Sequence, residues 1–378
     1  MAHSATNTAR LPNGVPQTHP AVATLARRSP LAIIDRPTEA PGPGEALVHV
    51  EWTSSSPLEL HQADGGLLVK YPFILGDCYA GTLVALGTPL NTPDAKGSSD
   101  NNHHNNGLQV GDKVFGFAYR GLREKGFQTY ITISTYTISK LPPNITLQEA
   151  VTVSTNLITV FHAATADLGL QLPWPVPESG WEPAEASTPI LVWGAASSVG
   201  MYAVQVLKHW GYRQVIAVAS GKHHDHLKSM GAAACFDYQK PNVVERILEY
   251  VENRPPTVAS GPKLPLILDC IASRDGTLKP LTKLAERGTK VAILLPVINV
   301  HATSDVEPEY EMDVSKVLPG EWAEGVELKG TRTHFYLDVS VPSEEILLLQ
   351  SRESILLTWT ARTNSSGIIS SQKSCRLC

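Results

Sequence analysis

Two hydrophobic patterns divide this chain of 378 residues. Over residues 22–139, short apolar runs such as "ALVHVEW" and "FQTYITIS" are separated by turn residues. From residue 190 onward, short apolar runs such as "ILVWG" and "LPLILDCI" alternate with helical segments. The first pattern predicts an all-β domain of the barrel or sandwich type. The second predicts a doubly wound parallel sheet, whose strands are apolar throughout because helices cover both faces.

The helical spacing of apolar residues predicts helices over 147–163, 199–210, 224–230, 243–251 and 278–285. Residues 171–189, "QLPWPVPESGWEPAEASTP", contain too many prolines for regular structure and predict a connector. Residues 90–109, "LNTPDAKGSSDNNHHNNGLQ", are nearly devoid of apolar side chains and predict a loop inserted at the surface. The chain therefore consists of a β-rich half and an α/β half.

Charge and composition exclude several classes of partner. Lys and Arg total 31 against 36 Asp and Glu, and this balance gives no basic surplus for nucleic acid. No apolar run reaches the roughly 18 residues that span a bilayer, so we expect no membrane partner. The five cysteines are an odd number and mostly stand far apart, which favours a reducing compartment, and we expect the cytoplasm.

The first turn of the α/β half is the candidate phosphate site. Small residues fill this turn, and they allow backbone N–H groups to approach a diphosphate at a helix N-terminus: Gly194, Ala195, Ala196, Ser197, Ser198, Val199 and Gly200. In the frame Gly-x-Gly-x-x-Gly, the three glycine positions are Ala195, Ser197 and Gly200. Because two of the three glycines are absent, a purely structural corner between strand and helix stays an alternative.

The tip of the second strand bears on the choice of cofactor. An NAD site usually places an acidic residue there, whereas an NADP site needs cations or donors for the added phosphate. The stretch "AVASGKHHDHLKSMGA" instead supplies Ser220 and Lys222 at the tip. This sequence favours NADPH, and a solvated basic turn is the alternative.

Several motifs, in this order and spacing, resemble the medium-chain dehydrogenase/reductase superfamily. They are "PGPGEALVHV", "YPFILGDCYAGTLVALG", "VGDKVFGFAYR", "GFQTYITI", "GAASSVG" and "LKSMGAAACFDY". The resemblance is to the zinc-independent branch of quinone oxidoreductases and enoyl reductases, which includes members from fungal secondary metabolism. It implies an α/β protein with a GroES-like β-barrel domain that holds the substrate cleft, and a Rossmann domain that binds NADPH across it. It also implies that Tyr238 lies near the adenosine phosphate with Ser220 and Lys222.

The resemblance suggests domain boundaries. We expect a flexible N-terminus over 1–20, the GroES-like domain over 21–170, the connector over 171–189 and the Rossmann domain over 190–338. Residues 339–378 lack the helix and closing strands that are usual in the family, and we expect an atypical, shortened return to the catalytic domain.

The resemblance also bears on metal. Zinc-dependent relatives use an early Cys and a His-Glu pair, whereas this chain has Ser residues in "WTSSSPLELH" and the pair Asp77-Cys78. A catalytic zinc needs three protein ligands, so we expect none here. An unorthodox site made from His61, Asp77 and Cys78 is the alternative.

Without metal, catalysis consists of placing the hydride carrier against an activated double bond or a quinone and supplying a proton. The candidate proton donors are Ser56, Tyr71 and Thr155, each of which could equally have a structural role. The expected function is reduction of a small-molecule enone, enoyl compound or quinone by NADPH, and relatives are commonly homodimers. The alternatives are a zinc-type alcohol dehydrogenase and a relative that binds NADPH without turnover.

Overall fold

The computed structural model describes residues 10–89, 107–173, 177, 180–253, 261–335 and 375–376. The chain divides into two compact units. The first unit comprises Met1–Thr155 and Val341–Cys378, and the second comprises Asn156–Ser340. The surface insertion predicted over 90–109 lies mostly outside the described residues, including its His103-His104 pair.

The first unit is built from antiparallel strands and two short helices. The strands are β1 (Thr18–Thr24), β2 (Ala32–Pro37), β3 (Glu45–Thr53), β4 (Phe73–Ile74), β5 (Cys78–Leu86), β6 (Lys113–Phe117), β7 (Tyr130–Ser134) and β8 (Ile138–Lys140), and the helices are α1 (Pro57–Gly65) and α2 (Leu147–Ala150). One sheet has the order β2–β1–β4, and the other contains β3–β5–β6–β8, with β7 also paired to β3. Alternate side chains such as Ala46, Val48 and Val50 of β3 point into one core, where they meet Tyr79 and Ile131. This alternation is the pattern from which the β-rich half was predicted.

Two sequence predictions in this unit need correction. The predicted flexible stretch 1–20 ends too late, because Thr18–Thr24 already form β1 and His19 is buried there. The helix predicted over 147–163 is interrupted after Ala150. Thr152 donates its hydroxyl to the carbonyl of Glu149 at 2.8 Å, and its β-branched neighbours have low helix propensity, which accounts for the interruption.

The second unit contains a six-stranded parallel sheet. Its elements are α3 (Ser154–His162), β9 (Ile190–Trp193), α4 (Ser198–His209), β10 (Val215–Val218), α5 (His224–Met230), β11 (Ala234–Phe236), α6 (Val243–Glu252), β12 (Leu266–Asp269), α7 (Lys279–Thr282), β13 (Lys290–Leu294), β14 (Val297–Val300), β15 (Glu309–Glu311) and β16 (Glu327–Thr331). The strand order is β11–β10–β9–β12–β13–β16. The direction of winding reverses between β9 and β12, and open α/β sheets bind ligands at such a reversal, beyond the carboxyl ends of the strands. The predicted doubly wound sheet is confirmed.

The division between the units falls at residue 155, earlier than the predicted boundary at 170. The segment after Thr155 is tied to the second unit by side-chain hydrogen bonds. Thr159 bonds to the hydroxyl of Thr333 at 3.0 Å, and Thr331 donates to Asp167 at 2.7 Å. These contacts explain why α3 belongs mostly with the parallel sheet.

The helix predicted over 278–285 is shorter than expected. The α-helix covers Lys279–Thr282 and follows a π-helical turn over Arg274–Leu278. Thr277 donates its hydroxyl to buried Asp269 at 2.6 Å, and Pro280 has no N–H with which to extend a helical ladder back into that turn. Polar bonding within the preceding loop therefore replaces a regular helix start.

Near its end, the chain contributes a strand to the first unit. This strand, β17 (Cys375–Arg376), pairs antiparallel with β3, with Cys375 opposite Thr53 and Arg376 opposite Trp52. In the part of the chain that the structure describes, no helix is long and apolar enough to cross a membrane.

Candidate functional site

The turn between β9 and α4 has the geometry that the small residues predict. Gly194 has φ +75°, a conformation that suits glycine, and its N–H and that of Ala195 both donate to the carbonyl of Val218 at 3.0 Å. Ser197 is the N-cap of α4, and its hydroxyl accepts from the N–H of Gly200 at 3.1 Å. The turn is thus fixed to the neighbouring strand and to the first helical turn.

Two glycines of this turn are required by space. A Cβ added at Gly200 would lie 2.3 Å from the carbonyl oxygen of Gly194 and 2.6 Å from Cα of Ala195. A Cβ added at Gly194 would lie 2.5 Å from Cγ1 of Ile271. The one glycine that survives from the fingerprint is therefore the one that lets helix and strand pack closely, which is its role in dinucleotide-binding turns.

The start of α4 presents donors toward the carboxyl edge of the sheet. Ser197 N–H is bonded to the carbonyl of Gly194 and Gly200 N–H to Ser197, whereas the N–H groups of Ser198 and Val199 have no acceptor among the described residues. Two adjacent free N–H groups at a helix N-terminus suit a diphosphate. Cys270 contacts the hydroxyl of Ser197, and burial raises the pKa of the Cys270 thiol, so it stays neutral.

The tips of β10 and β11 lie side by side. Val218 pairs in register with Phe236, so Ser220 and Tyr238 each stand two residues beyond a paired position. Lys222 lies in a single 3₁₀ turn after Ser220 and is exposed, and Tyr238 is 50% exposed. Lys222 has no ion-pair partner within the described ranges. The structure thus brings Ser220 and Tyr238 to neighbouring strand ends, with Lys222 next to the first.

An acidic residue also reaches this edge. Asp237 follows β11, and a Cβ added at Gly221 would lie 3.2 Å from its Oδ2 atom. The sequence showed no acid at the end of the second strand itself, and the structure supplies one from the adjacent strand. An acid here suits ribose hydroxyls and disfavours a phosphate. The tip of β10, with Ser220 and Lys222, therefore favours NADPH, whereas Asp237 at the tip of β11 favours NADH.

In the first unit, Ser56 caps α1. Its hydroxyl donates to Oε2 of Glu59 at 2.7 Å and accepts from Leu58 N–H at 3.2 Å, while Ser56 N–H also donates to Glu59 Oε2 at 2.7 Å. This reciprocal arrangement is a capping box. Ser56 is exposed, whereas Glu59 is 5% exposed, so the pair connects the surface to a buried carboxyl group.

Glu59 belongs to a buried charged group that we call the acid–lysine cluster: Glu59, Asp77 and Lys125. Asp77 and Lys125 are each 3% exposed, and the Lys125 ammonium forms an ion pair with Asp77 Oδ1. Asp77 N–H donates to Oε1 of Glu59 at 3.2 Å. Burial, and then the charge of Asp77, raise the pKa of Glu59.

Thr155 contacts Cys78, the residue that follows Asp77. Its hydroxyl is 2.7 Å from the Cys78 sulfur, and burial raises the pKa of that thiol to about 11. Tyr71 stands apart, since its hydroxyl oxygen would lie 2.9 Å from a Cβ added at Gly66, beyond the far end of α1. The structure therefore places Ser56 against Glu59 of the cluster, Thr155 against Cys78, the residue after Asp77, and Tyr71 near Gly66.

The donor set of this cluster does not suit zinc. The Lys125 ammonium takes up a carboxylate oxygen of Asp77, and a positive charge at that position opposes the binding of a cation. Within the described ranges, no group of three His, Cys, Asp or Glu side chains could hold a metal ion.

Sequence reasoning missed Glu59, Lys125 and Asp237. The spacing Ser56-x-x-Glu59, followed by an apolar residue, is a capping-box signal and could have identified the first. Lys125 and Asp237 reach their positions through a loop and a strand that are distant in sequence from their partners, and no local signal announces them.

Two family models match the chain. The model described as alcohol dehydrogenase GroES-like domain covers residues 42–156, and the model described as zinc-binding dehydrogenase covers residues 198–304. These matches fall on the β-rich unit and on the parallel sheet, respectively.

Two of the curated relatives that the chain matches are trans-enoyl reductases of Aspergillus species. The chain is 32% identical to the trans-enoyl reductase tazE of Aspergillus terreus over 59% of this chain and 69% of that protein. It is also 32% identical to the trans-enoyl reductase tndF of Aspergillus flavipes, over 59% of this chain and 60% of that protein. The match thus spans about 60% of the length of some of these relatives.

Solved structures share the fold. The CurK enoyl reductase superposes with a TM-score of 0.64 at 15% identity, covering 93% of this chain and 89% of that one. The quinone oxidoreductase of Pseudomonas syringae pv. Tomato DC3000 superposes with a TM-score of 0.64 at 18% identity, covering 92% and 89%. At these identities the likeness concerns the fold alone.

Proposed function

Because this chain belongs to the medium-chain dehydrogenase/reductase superfamily, in the branch of the fungal trans-enoyl reductases, we propose that it is a metal-free, NADPH-dependent reductase. Its substrate would carry a carbon–carbon double bond activated by a carbonyl group, or would be a quinone. The observation that carries this proposal is the turn after β9, where Gly200 packs against the strand backbone and leaves two N–H groups of α4 free. That geometry suits the diphosphate of a dinucleotide.

Each part of the described chain would have a distinct task. Ser198 and Val199 would hold the diphosphate, and Ser220, Lys222 and Tyr238 would surround the phosphate of the adenosine ribose. Reduced nicotinamide supplies a hydride when it is bound. Ser56 and Thr155 offer hydroxyl groups next to the acid–lysine cluster, where a proton can be held.

The choice of NADPH depends on Lys222. A lysine can donate charge-assisted hydrogen bonds to a phosphate, and its ammonium has no ion-pair partner among the described residues. Asp237 beside Gly221 supports a second candidate, the same reaction with NADH, because a carboxylate can accept from ribose hydroxyls. If the cofactor is NADPH, Lys222 contributes to its affinity, and if the cofactor is NADH, Asp237 does.

Fluorescence titration with both nucleotides tests the proposal. Lys222→Ala should raise the Kd for NADPH about tenfold or more, since a hydrogen bond to a charged group contributes about 1.5–3 kcal/mol. The same substitution should leave the Kd for NADH unchanged. Lys228→Ala, an exposed lysine on α5, is the matched control. An equal loss for both nucleotides would refute the phosphate role of Lys222, and a loss of NADH affinity in Asp237→Asn would favour the second candidate.

Turnover is measured separately. Oxidation of NADPH in the presence of enones, enoyl thioesters and quinones, by protein free of zinc on elemental analysis, is the expected result. Tight NADPH binding without turnover across that panel would instead identify a relative that has lost catalysis. Activity that requires stoichiometric zinc would identify an alcohol dehydrogenase.

A further inference from the structure

The acid–lysine cluster holds two carboxyl groups and one ammonium away from water. Lys125 pairs with Asp77, and within the described ranges Glu59 has no ion pair with a cation. The nearby Cys78 thiol, whose pKa is raised to about 11, contributes no charge at neutral pH. A buried carboxylate without a counter-charge is costly, so one of the two acids tends to keep a proton. Burial and the charge of Asp77 both favour the neutral form of Glu59.

A hydrogen bond leads from this acid to the surface. Oε2 of Glu59 is 2.7 Å from the hydroxyl oxygen of Ser56, which is within the range of a good O–H···O bond. Ser56 is exposed while Glu59 is 5% exposed. The other carboxyl oxygen, Oε1, faces the N–H of Asp77, and so does not lead outward. Ser56 therefore stands between the buried proton and the exposed face of α1.

We propose that Glu59 is the proton store of the reductase and that Ser56 relays its proton to the substrate. The inference rests on the proposed function, which requires one proton for each hydride. When Glu59 is protonated, Oε2–H donates to Ser56 Oγ, the reverse of the bond that the carboxylate accepts, and the Ser56 hydroxyl proton is then available to the substrate. As that hydroxyl proton forms the new C–H or O–H bond of the product, the proton on Glu59 Oε2 moves to Ser56 Oγ. Glu59 is left as a carboxylate and then recovers its proton from water, so atoms and charge balance. Ser56 is the catalytic residue, and Glu59 acts through it.

A capping box alone would explain the same contacts, and the chain provides a way to separate the two roles. Gln serves as well as Glu at the third helical position of a capping box, but it cannot release a proton. Glu59→Gln should therefore keep the fold and the NADPH affinity while kcat falls about 100-fold or more, which is the scale of general acid catalysis. Thr146 and Glu149 form the same box at α2, so Glu149→Gln is the matched control and should leave kcat unchanged.

The pH profile gives the relay a signature that a structural role lacks. Since protonated Glu59 is the active form, kcat of the wild type should fall as the pH rises through the raised pKa of Glu59. Glu59→Gln should lose this limb, and its solvent deuterium isotope effect should change.

Two variants of Ser56 isolate the hydroxyl group. Gly is tolerated at an N-cap at little cost, so Ser56→Gly should fold but lose activity, and Ser56→Thr should retain it. If Ser56→Gly keeps the wild-type kcat, the relay is wrong.

Infrared difference spectra recorded during a pH titration test whether Glu59 is protonated, and they need no turnover. As the pH falls, the wild type and Glu149→Gln should show the carbonyl band of a buried protonated carboxyl group that Glu59→Gln lacks, whereas the corresponding band of buried Asp269 should appear in all three proteins. Absence of the Glu59 band in the wild type, or unchanged kcat and pH profile in Glu59→Gln, would overturn this inference and leave the proposed function intact. If the wild type oxidises NADPH with none of the enones, enoyl thioesters or quinones, the proposed function is overturned, and the relay with it.

Discussion

The ion pair between Lys125 and Asp77 should be essential for the stability of the β-rich unit. Lys125→Met keeps a side chain of similar length and removes the ammonium. Both partners are 3% exposed, so the carboxylate of Asp77 would stay buried without its cation. The ammonium also lies 5.6 Å from the centre of the Phe73 ring, a cation–π contact that methionine replaces only in part.

The expected magnitude follows from burial. Removing one partner of a buried pair costs about 3–5 kcal/mol of unfolding free energy, because an uncompensated charge remains inside. The same substitution at Lys113 provides the contrast. Lys113 pairs with Glu51 at 2.6 Å, but the two side chains are 48% and 30% exposed, and such pairs contribute about 0–1 kcal/mol. Lys125→Met should thus destabilise the protein several times more than Lys113→Met.

Urea denaturation, followed by circular dichroism and tryptophan fluorescence, measures both variants. The double variant Lys125→Met with Asp77→Asn removes both charges and should recover most of the lost stability. If Lys125→Met costs no more than Lys113→Met, or if the double variant is as unstable as the sum of its parts, the buried pair does not act as we describe. A cycle built from the four proteins gives the coupling energy directly.

Two further predictions concern the parallel sheet. Gly200→Ala should destabilise the protein by about 1–3 kcal/mol and weaken NADPH binding, because the added Cβ would lie 2.3 Å from a backbone oxygen. Gly121→Ala is the control and should have neither effect, because a Cβ added there meets no atom within 4 Å. Burial raises the pKa of Asp269 from 3.8 to about 6, so the folded state binds its proton more tightly than the unfolded chain does. As the pH rises from 4 to 6, the wild type should therefore lose about 2 kcal/mol of stability relative to Asp269→Asn in urea titrations, and a difference independent of pH would contradict the shift.

Local patterns sufficed to predict most of the fold. The strands of the parallel sheet are uniformly apolar because both faces are covered, and α5 runs over the predicted residues, His224–Met230. Predictions failed where side chains bond to the backbone nearby. Thr152 interrupts the helix after Ala150, and Thr277 with Asp269 replaces the start of the helix that ends at Thr282.

The candidate site divides along similar lines. The turn from Gly194 to Gly200 is continuous in sequence, so its size pattern could be recognised before its geometry was known. The acid–lysine cluster joins a helix, the residue before β5 and a loop. Its members are close in space because the sheet brings them together, and neither their spacing in the sequence nor the composition predicts this contact.

The pairing of β17 with β3 has a consequence for the order in which the protein is built. Every strand of the parallel sheet precedes residue 332, so a nascent chain can complete that sheet before Cys375 and Arg376 are synthesised. The partner of Trp52 and Thr53 is therefore synthesised after every strand of the parallel sheet. The edge of β3 that β17 covers would stay unpaired while that sheet forms, and it could be bound by chaperones before it pairs with β17.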